Sequence, residues 1–249
     1  ILASELGYDE VALFHVAQLA WLAGLLVPQA MRSALLPVLG ASRNDKVRFD
    51  QHLDRVERIC FGLVPVGLVA GASIVWILLP FGFPSEYFDG TLGASARDVF
   101  MLLLIGWAMT VLSVPSYTAL QAGERPWLFT LLIFTVVLSS TVFGLFLIGR
   151  GAETSVGLAI EMAAYASVAS SFVMLMGGIV LSRRFSAFMQ RGIQWCATLL
   201  LVIVTCVALS QQSYWALSGL GLFILLPQGL EAMKTTVATP SLLKLDEAE

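Results

Sequence analysis

The chain has 249 residues, of which 58% are hydrophobic and only 12% are charged, and its mean hydropathy is +0.85. Soluble globular domains carry about 25% charged residues, so this composition excludes that class and predicts a membrane protein. The formal net charge is −3, and the basic residues lie in loops between apolar runs rather than in a patch. We therefore expect no nucleic-acid partner.

The chain begins at Ile1 with residues that read as the end of an apolar stretch followed by a short acidic loop. We expect 1–10 to be an external loop after a missing or truncated span, in a piece of a longer protein. The first apolar segment, 11–39, exceeds the roughly 20 residues that a spanning helix needs. Pro28 and Pro37 are expected to kink or end it.

Polar side chains interrupt this first segment at helical spacing. His15, Gln18, Gln29 and Arg32, with Ser33 beside them, fall within an arc of roughly 100°. Lipid does not tolerate such a polar stripe, so we expect it to face other helices or a water-filled cavity on a transport pathway. The alternative is that the charged ends reach the two membrane interfaces while the glutamines bridge neighbouring helices.

Further apolar segments follow, separated by short charged or turn-rich loops. They run over 59–83, 98–122, 126–149, 156–182, 193–210 and 214–230. The predicted fold is therefore all-α, a polytopic transmembrane helical bundle of about seven spans. Residues 11–182 are expected to hold five spans and 193–230 two additional ones.

Basic residues alternate between successive loops and thereby orient the spans. The loops around 40–58, 125 and 183–191 and the tail 231–249 together carry 11 arginine and lysine residues, against two in the alternate loops, so they are predicted to be cytoplasmic. The loops that carry Arg97 and Arg150 are predicted to be external. This orientation places His15 near the external end and Arg32 near the cytoplasmic end, where its cation would attract an anionic headgroup such as a phosphate.

The basic linker 40–58 has an amphipathic pattern and mixes five basic with four acidic residues. We expect a solvated or interfacial cytoplasmic helix that joins two spans, the alternative being a specific docking site. The glycine pair at 67–71 forms a GxxxG pattern, which is typical of close helix packing.

Two other segments carry polar residues. Thr110, Ser113, Tyr117 and Gln121 share one face of the third segment, where they would either line a cavity or bond to their own backbone. Glu161 lies inside the fifth segment and is either a proton-coupling site or an acid near the external interface.

The sequence contains no nucleophile–base pair, metal-spaced His/Cys cluster, phosphate-binding loop or dinucleotide fingerprint. The three cysteines have no spacing that indicates a disulfide or a metal site. We therefore expect no enzyme activity, no cofactor and no metal.

Three stretches carry a family resemblance: GYDEVALFHVAQLAWLAGLLVPQAMRSALLPVL at 7–39, LLLIGWAMTVLSVPSYTALQAGERPWLFT at 102–130, and GAETSVGLAIEMAAYASV at 151–168. With the basic linker between the first two spans, this order resembles the carboxy-terminal half of a polysaccharide exporter of the multidrug/oligosaccharidyl-lipid/polysaccharide superfamily.

The resemblance implies one lobe of a two-lobe flippase that moves lipid-linked oligosaccharide by alternating access across the bacterial cytoplasmic (inner) membrane, in surface-polysaccharide or lipopolysaccharide biosynthesis. Its partners would be that substrate, membrane lipid and a missing amino-terminal lobe of the same protein. His15, Gln18, Gln29, Arg32, Tyr117 and Glu161 are the candidate pathway residues. Two alternatives stay open: a cation-coupled multidrug antiporter, and a membrane-embedded polymerase or ligase of surface polysaccharide.

Overall fold

A computed structural model describes residues 7–77, 79–91 and 93–183. Within these residues the chain is helical and contains no strand. The helices are α1 (Tyr8–Gly24), α2 (Leu26–Ala41), α3 (Lys46–Ile77), the short α4 (Leu79–Gly82), α5 (Ala96–Ala122), α6 (Trp127–Thr154) and α7 (Val156–Leu181), with one 3-10 turn at Ser85–Tyr87.

Four of the described helices are long and apolar enough to cross a membrane. They are the continuous pair α1–α2 over Glu10–Ala41, and α5, α6 and α7. The prediction of an all-helical fold is confirmed for the described residues, and these four helices are compatible with a membrane protein, whereas the count of about seven spans is not confirmed. The predicted segment 59–83 corresponds to the second half of α3 together with the short α4, and it is not among these four. The predicted spans 193–210 and 214–230 lie outside the described residues, and so do residues 1–6 and the tail 231–249.

Helix α5 lies at the centre of the bundle. It packs against α1, α2, α3 and α7, and 83% of its most apolar 18 residues are buried. The equivalent share for α6 is only 17%, because α6 packs mainly against α7 and leaves most of its surface open. An apolar helix with so much open surface is typical of one that contacts lipid.

Short connections with local caps define where the helices start. The Asp45 carboxylate accepts hydrogen bonds from the backbone N–H groups of Val47 and Arg48 at the start of α3, both at 3.1 Å. The hydroxyl of Ser95 accepts from the Arg97 N–H at the start of α5, and that of Ser155 accepts from the Leu158 N–H at the start of α7. Each cap satisfies an amide that the helix itself cannot pair.

The loops of the described residues lie at two opposite ends of the bundle. A cavity at one end is lined by the start of α3, by the connection from α5 to α6 and by the last residues of α7. We call this the basic end, since it carries Arg43, Lys46, Arg125 and Arg183. At the opposite end Gly93, with a φ of +86°, approaches the backbone of Gly157 so closely that a Cβ on Gly157 would overlap the Gly93 carbonyl.

The linker 40–58 is not a separate helix. Residues from Lys46 onward are the start of α3, which continues without a break to Ile77. Leu53 on this stretch is buried in a small apolar cluster with residues of α2 and α5, so the amphipathic part of α3 packs against the bundle instead of standing free in solvent.

Candidate functional site

The first predicted segment is divided by a break at Leu25, between α1 and α2. In a continuous helix the carbonyl of Gly24 would accept a hydrogen bond from residue 28, but Pro28 has no N–H to donate. The indole Nε1 of Trp107, on the central helix α5, donates to this Gly24 oxygen at 2.8 Å. An interhelical bond thus satisfies a carbonyl that the proline leaves without its helical partner.

Trp107 fits beside α3 because the GxxxG pattern places glycine there. A Cβ at Gly67 would overlap the Trp107 ring, and a Cβ at Gly71 would come within 2.9 Å of a Leu104 methyl group. The predicted close packing at 67–71 is therefore present, and it holds α3 against α5 next to the break in the first segment.

Arg32 lies one helical turn beyond Pro28 and is held by two other helices. Its Nε donates a hydrogen bond of 3.1 Å to Oε1 of Gln121 on α5. Its guanidinium carbon lies 5.9 Å from the ring centroid of Tyr117 and 5.5 Å from that of Phe129 on α6, within the range of cation–π attraction. We call Arg32, Tyr117, Gln121 and Phe129 the arginine cluster.

The arginine cluster contains no carboxylate. Within the described parts of the chain, no acidic side chain forms an ion pair with Arg32; the described ion pair joins Arg48 to Asp45 at the surface. Guanidinium has five N–H donors, of which Gln121 takes the one on Nε. The donors of the two terminal nitrogens form the planar fork that suits phosphate and carboxylate, so the arrangement can bind an anion.

The other members of the polar stripe lie along the same side of the first segment. His15 Nδ1 and Gln18 Oε1 are 3.1 Å apart, and the Ser33 hydroxyl donates to the Gln29 carbonyl. The side chains of His15, Gln29 and Ser33 are exposed, and only 22% of the most apolar 18 residues of this segment are buried. The described helices therefore leave the stripe uncovered along much of its length.

The polar residues of α5 do not share one environment. The hydroxyl of Thr110 donates to the Gly106 carbonyl, and that of Ser113 donates to the Thr110 carbonyl, so both bond to their own helix. Tyr117 and Gln121, one and two turns further on, instead face Arg32. Only Tyr117 and Gln121, the two residues of this predicted polar face nearer the basic end, contact the polar stripe of the first segment.

Glu161 lies at the opposite end of the bundle from Arg32. It is half-buried in the second turn of α7, close enough to Asp98 in the first turn of α5 for their carboxylates to repel each other. Arg97 adjoins Asp98 and reduces this repulsion, and its guanidinium carbon lies 5.1 Å from the Phe88 ring centroid. Tyr165, one turn beyond Glu161, is exposed.

No metal site is apparent in the described part of the chain: its His, Cys, Asp and Glu side chains form no group of three or more that would hold an ion. Cys60 is buried in the core as a free thiol. Cys196 and Cys206 lie outside the described residues.

Comparison with known proteins adds no identification: no family model, no curated protein and no solved structure matches this chain. The family resemblance therefore stays an expectation from the sequence.

Three residues of these sites were not among the candidates from the sequence: Trp107, Phe129 and Asp98. Trp107 and Phe129 read as ordinary apolar residues of a span, and their roles depend on which helices meet. Asp98 had a weak signal, since an acidic residue three positions after a serine cap is common in the first turn of a helix.

Proposed function

We propose that this chain is part of a flippase that moves a lipid-linked oligosaccharide across the bacterial cytoplasmic membrane, and that Arg32 binds the phosphate groups of that substrate near the cytoplasmic surface. The observation that carries the proposal is the arginine cluster, in which a guanidinium is oriented by Gln121 and two aromatic rings but has no carboxylate partner among the described residues.

A cation inside an apolar bundle costs free energy, so such a side chain normally has a partner that compensates its charge. An arginine that only anchors the helix to the interface needs no fixed orientation, because its long side chain can extend into water. Arg32 is instead half-buried and bonded to a glutamine 89 residues away in the chain. This geometry favours a bound anion over a simple interfacial anchor.

The uncovered stripe supports the same proposal. Gln29 and Ser33 lie beside Arg32 on the open side of α2, and the sugar hydroxyls of an oligosaccharide need such donors and acceptors. The charge distribution of the loops predicts that the basic end, where the arginine cluster lies, is cytoplasmic, which is the side on which lipid-linked sugars are assembled according to the family resemblance.

The test uses the full-length protein in cells that require it for surface polysaccharide. Arg32→Ala should lower export about tenfold or more, as expected when a charge-assisted hydrogen bond to phosphate is lost. The lipid-linked oligosaccharide should accumulate on the cytoplasmic face of the membrane. Arg32→Lys should recover part of the activity, because lysine keeps the charge but loses the fork.

Arg48→Ala is the matched control, since Arg48 is an exposed arginine of the same end with only a surface ion pair to Asp45. Equal protein levels are verified by immunoblotting. Full export by Arg32→Ala, or an equal loss in Arg48→Ala, would refute the phosphate-binding role.

A cation-coupled antiporter is the second candidate, and two half-buried acids at the same end of the bundle, Asp98 and Glu161, favour it. Carboxylates within membrane spans are typical sites for a coupling cation or proton. Under this alternative Glu161→Gln should abolish transport driven by a pH gradient, whereas Glu153→Gln, an exposed acid of the same end, should leave it intact. Undiminished transport by Glu161→Gln would exclude the coupling role.

A further inference from the structure

The cavity at the basic end has a volume of about 340 Å³, at the lower limit of small-molecule sites. It lies where α3 begins, where α5 and α7 end and where α6 starts. Four helices thus meet around it, although none of the residues of the arginine cluster lines it.

The cavity wall is divided into an apolar part and a charged part. Apolar side chains come from all four helices: Phe49, Leu53, Ala119, Leu120, Leu128 and Leu181. Charged side chains come from α3, from the connection between α5 and α6, and from the end of α7: Asp50, Glu124, Arg125 and Arg183. A molecule that fills both parts has to be amphiphilic.

The two arginines are placed by the turns that carry them. Arg183 follows α7 with a φ of +57°, a left-handed conformation that is uncommon for a residue with a side chain. Arg125 lies in the three-residue connection between α5 and α6. Among the described residues, neither guanidinium forms an ion pair or a hydrogen bond, so both are suited to a phosphate group.

The formal charges of the wall cancel, because Asp50 and Glu124 offset Arg125 and Arg183. A ligand that is only anionic would meet repulsion from the two carboxylates. A zwitterionic headgroup with one phosphate and one ammonium group satisfies both signs, since phosphate accepts from guanidinium and ammonium donates to carboxylate.

We propose that the cavity at the basic end is a binding site for a zwitterionic aminophospholipid of the phosphatidylethanolamine class. Arg125 and Arg183 bind its phosphate, Glu124 accepts from its ammonium group, and the apolar wall receives the start of its acyl chains. Pockets between membrane helices that contain basic residues are recognised sites for lipid headgroups, and the mixed charge of this one selects a zwitterionic headgroup. The bound lipid ties the start of α3 to the ends of α5 and α7.

The experiment measures lipid retention by the purified full-length protein in detergent, using native mass spectrometry. Phosphatidylethanolamine, phosphatidylglycerol and phosphatidylcholine of identical acyl chains are added in separate titrations. Phosphatidylcholine has no N–H donor and phosphatidylglycerol has no cation, so both should bind about fivefold or more weaker than phosphatidylethanolamine. Soluble glycerophosphoethanolamine, which lacks acyl chains, should compete weakly if the apolar wall contributes.

Arg125→Gln and Arg183→Asn should each weaken phosphatidylethanolamine retention about fivefold, in line with the contribution of one basic residue near a membrane surface. Asparagine is chosen at 183 because it tolerates the left-handed conformation. Arg43→Gln is the control, because Arg43 is an exposed arginine of the same end that does not line the cavity.

The proposal would be overturned by equal retention of the three lipids by the unaltered protein, by undiminished retention in both arginine variants, or by an equal loss in Arg43→Gln. The lipid comparison needs no variant, so it stays decisive even if a substitution impairs folding. Full competition by glycerophosphoethanolamine would show a soluble phosphate ester as the ligand and would also overturn the assignment to a lipid. None of these results depends on transport activity.

Discussion

The bond between Trp107 and Gly24 allows a quantitative test of how the bundle tolerates its proline. Trp107→Phe removes the donor at 2.8 Å and leaves the Gly24 carbonyl without its interhelical partner. Pro28→Ala restores an N–H four residues after Gly24, which can then donate to that carbonyl along the helix. The two substitutions are therefore expected to be coupled.

The coupling free energy should be about 1 kcal/mol. An unsatisfied buried acceptor costs about 1–3 kcal/mol of stability. The interaction free energy of an interhelical hydrogen bond in a membrane protein averages about 0.6 kcal/mol, with a maximum near 1.7 kcal/mol. Trp107→Phe also loses ring contacts beside Gly67, but this packing loss is the same in both backgrounds and cancels in a double-mutant cycle.

The measurement is unfolding of the purified protein in mixed micelles, with the four members of the cycle followed by circular dichroism. Trp107→Phe should cost less in the Pro28→Ala background than in the unaltered protein. Pro37→Ala provides the matched control, because Pro37 lies in the same helix and its ring is exposed. An equal cost of Trp107→Phe in both backgrounds, or the same coupling with Pro37→Ala, would refute the reasoning.

Three further predictions concern packing, capping and orientation. Gly67→Ala should destabilise the protein by about 1–3 kcal/mol in the same unfolding assay, because its Cβ overlaps the Trp107 ring, whereas Gly149→Ala, where a Cβ meets nothing within 4 Å, should be neutral or stabilising. Ser155→Ala should cost about 1 kcal/mol through loss of the α7 cap, and Ser155→Gly only a few tenths; equal costs would argue against the cap. With the native cysteines replaced by alanine, Lys46→Cys should react with an impermeant maleimide only after the cells are opened, while Asp89→Cys should react in intact cells; the reverse pattern would invert the orientation.

The helices were predictable because a bilayer demands long apolar segments, and the bounds near 10–41, 96–122 and 156–181 follow from that demand alone. The alternation of basic residues predicts which end is cytoplasmic, and this orientation stays a prediction. The extent of α3 was less predictable: the charged linker 40–58 suggested a separate helix, yet its residues from Lys46 onward continue directly into the apolar stretch.

The candidate site was predictable only in part. Helical spacing put Arg32 on the polar stripe and Tyr117 and Gln121 on one face of α5. Periodicity within a helix says nothing about which helix it meets, so the bond between Arg32 and Gln121 across 89 residues could not be derived. Trp107 donates to the Gly24 carbonyl, whose helical donor is missing because residue 28 is a proline. No pattern in the sequence around Trp107 indicates this contact with another helix.

The measurement that tests the central proposal most directly is substrate movement by the purified full-length protein in liposomes. A fluorescent polyprenyl-pyrophosphoryl sugar is added to one leaflet, and its arrival in the other is followed by a membrane-impermeant quencher. We expect movement with the unaltered protein, movement at least about tenfold slower with Arg32→Ala, and an unchanged rate with Arg48→Ala. No movement above that of empty liposomes, or equal rates for Arg32→Ala and the unaltered protein, would contradict the proposal that Arg32 binds the phosphate of a translocated lipid.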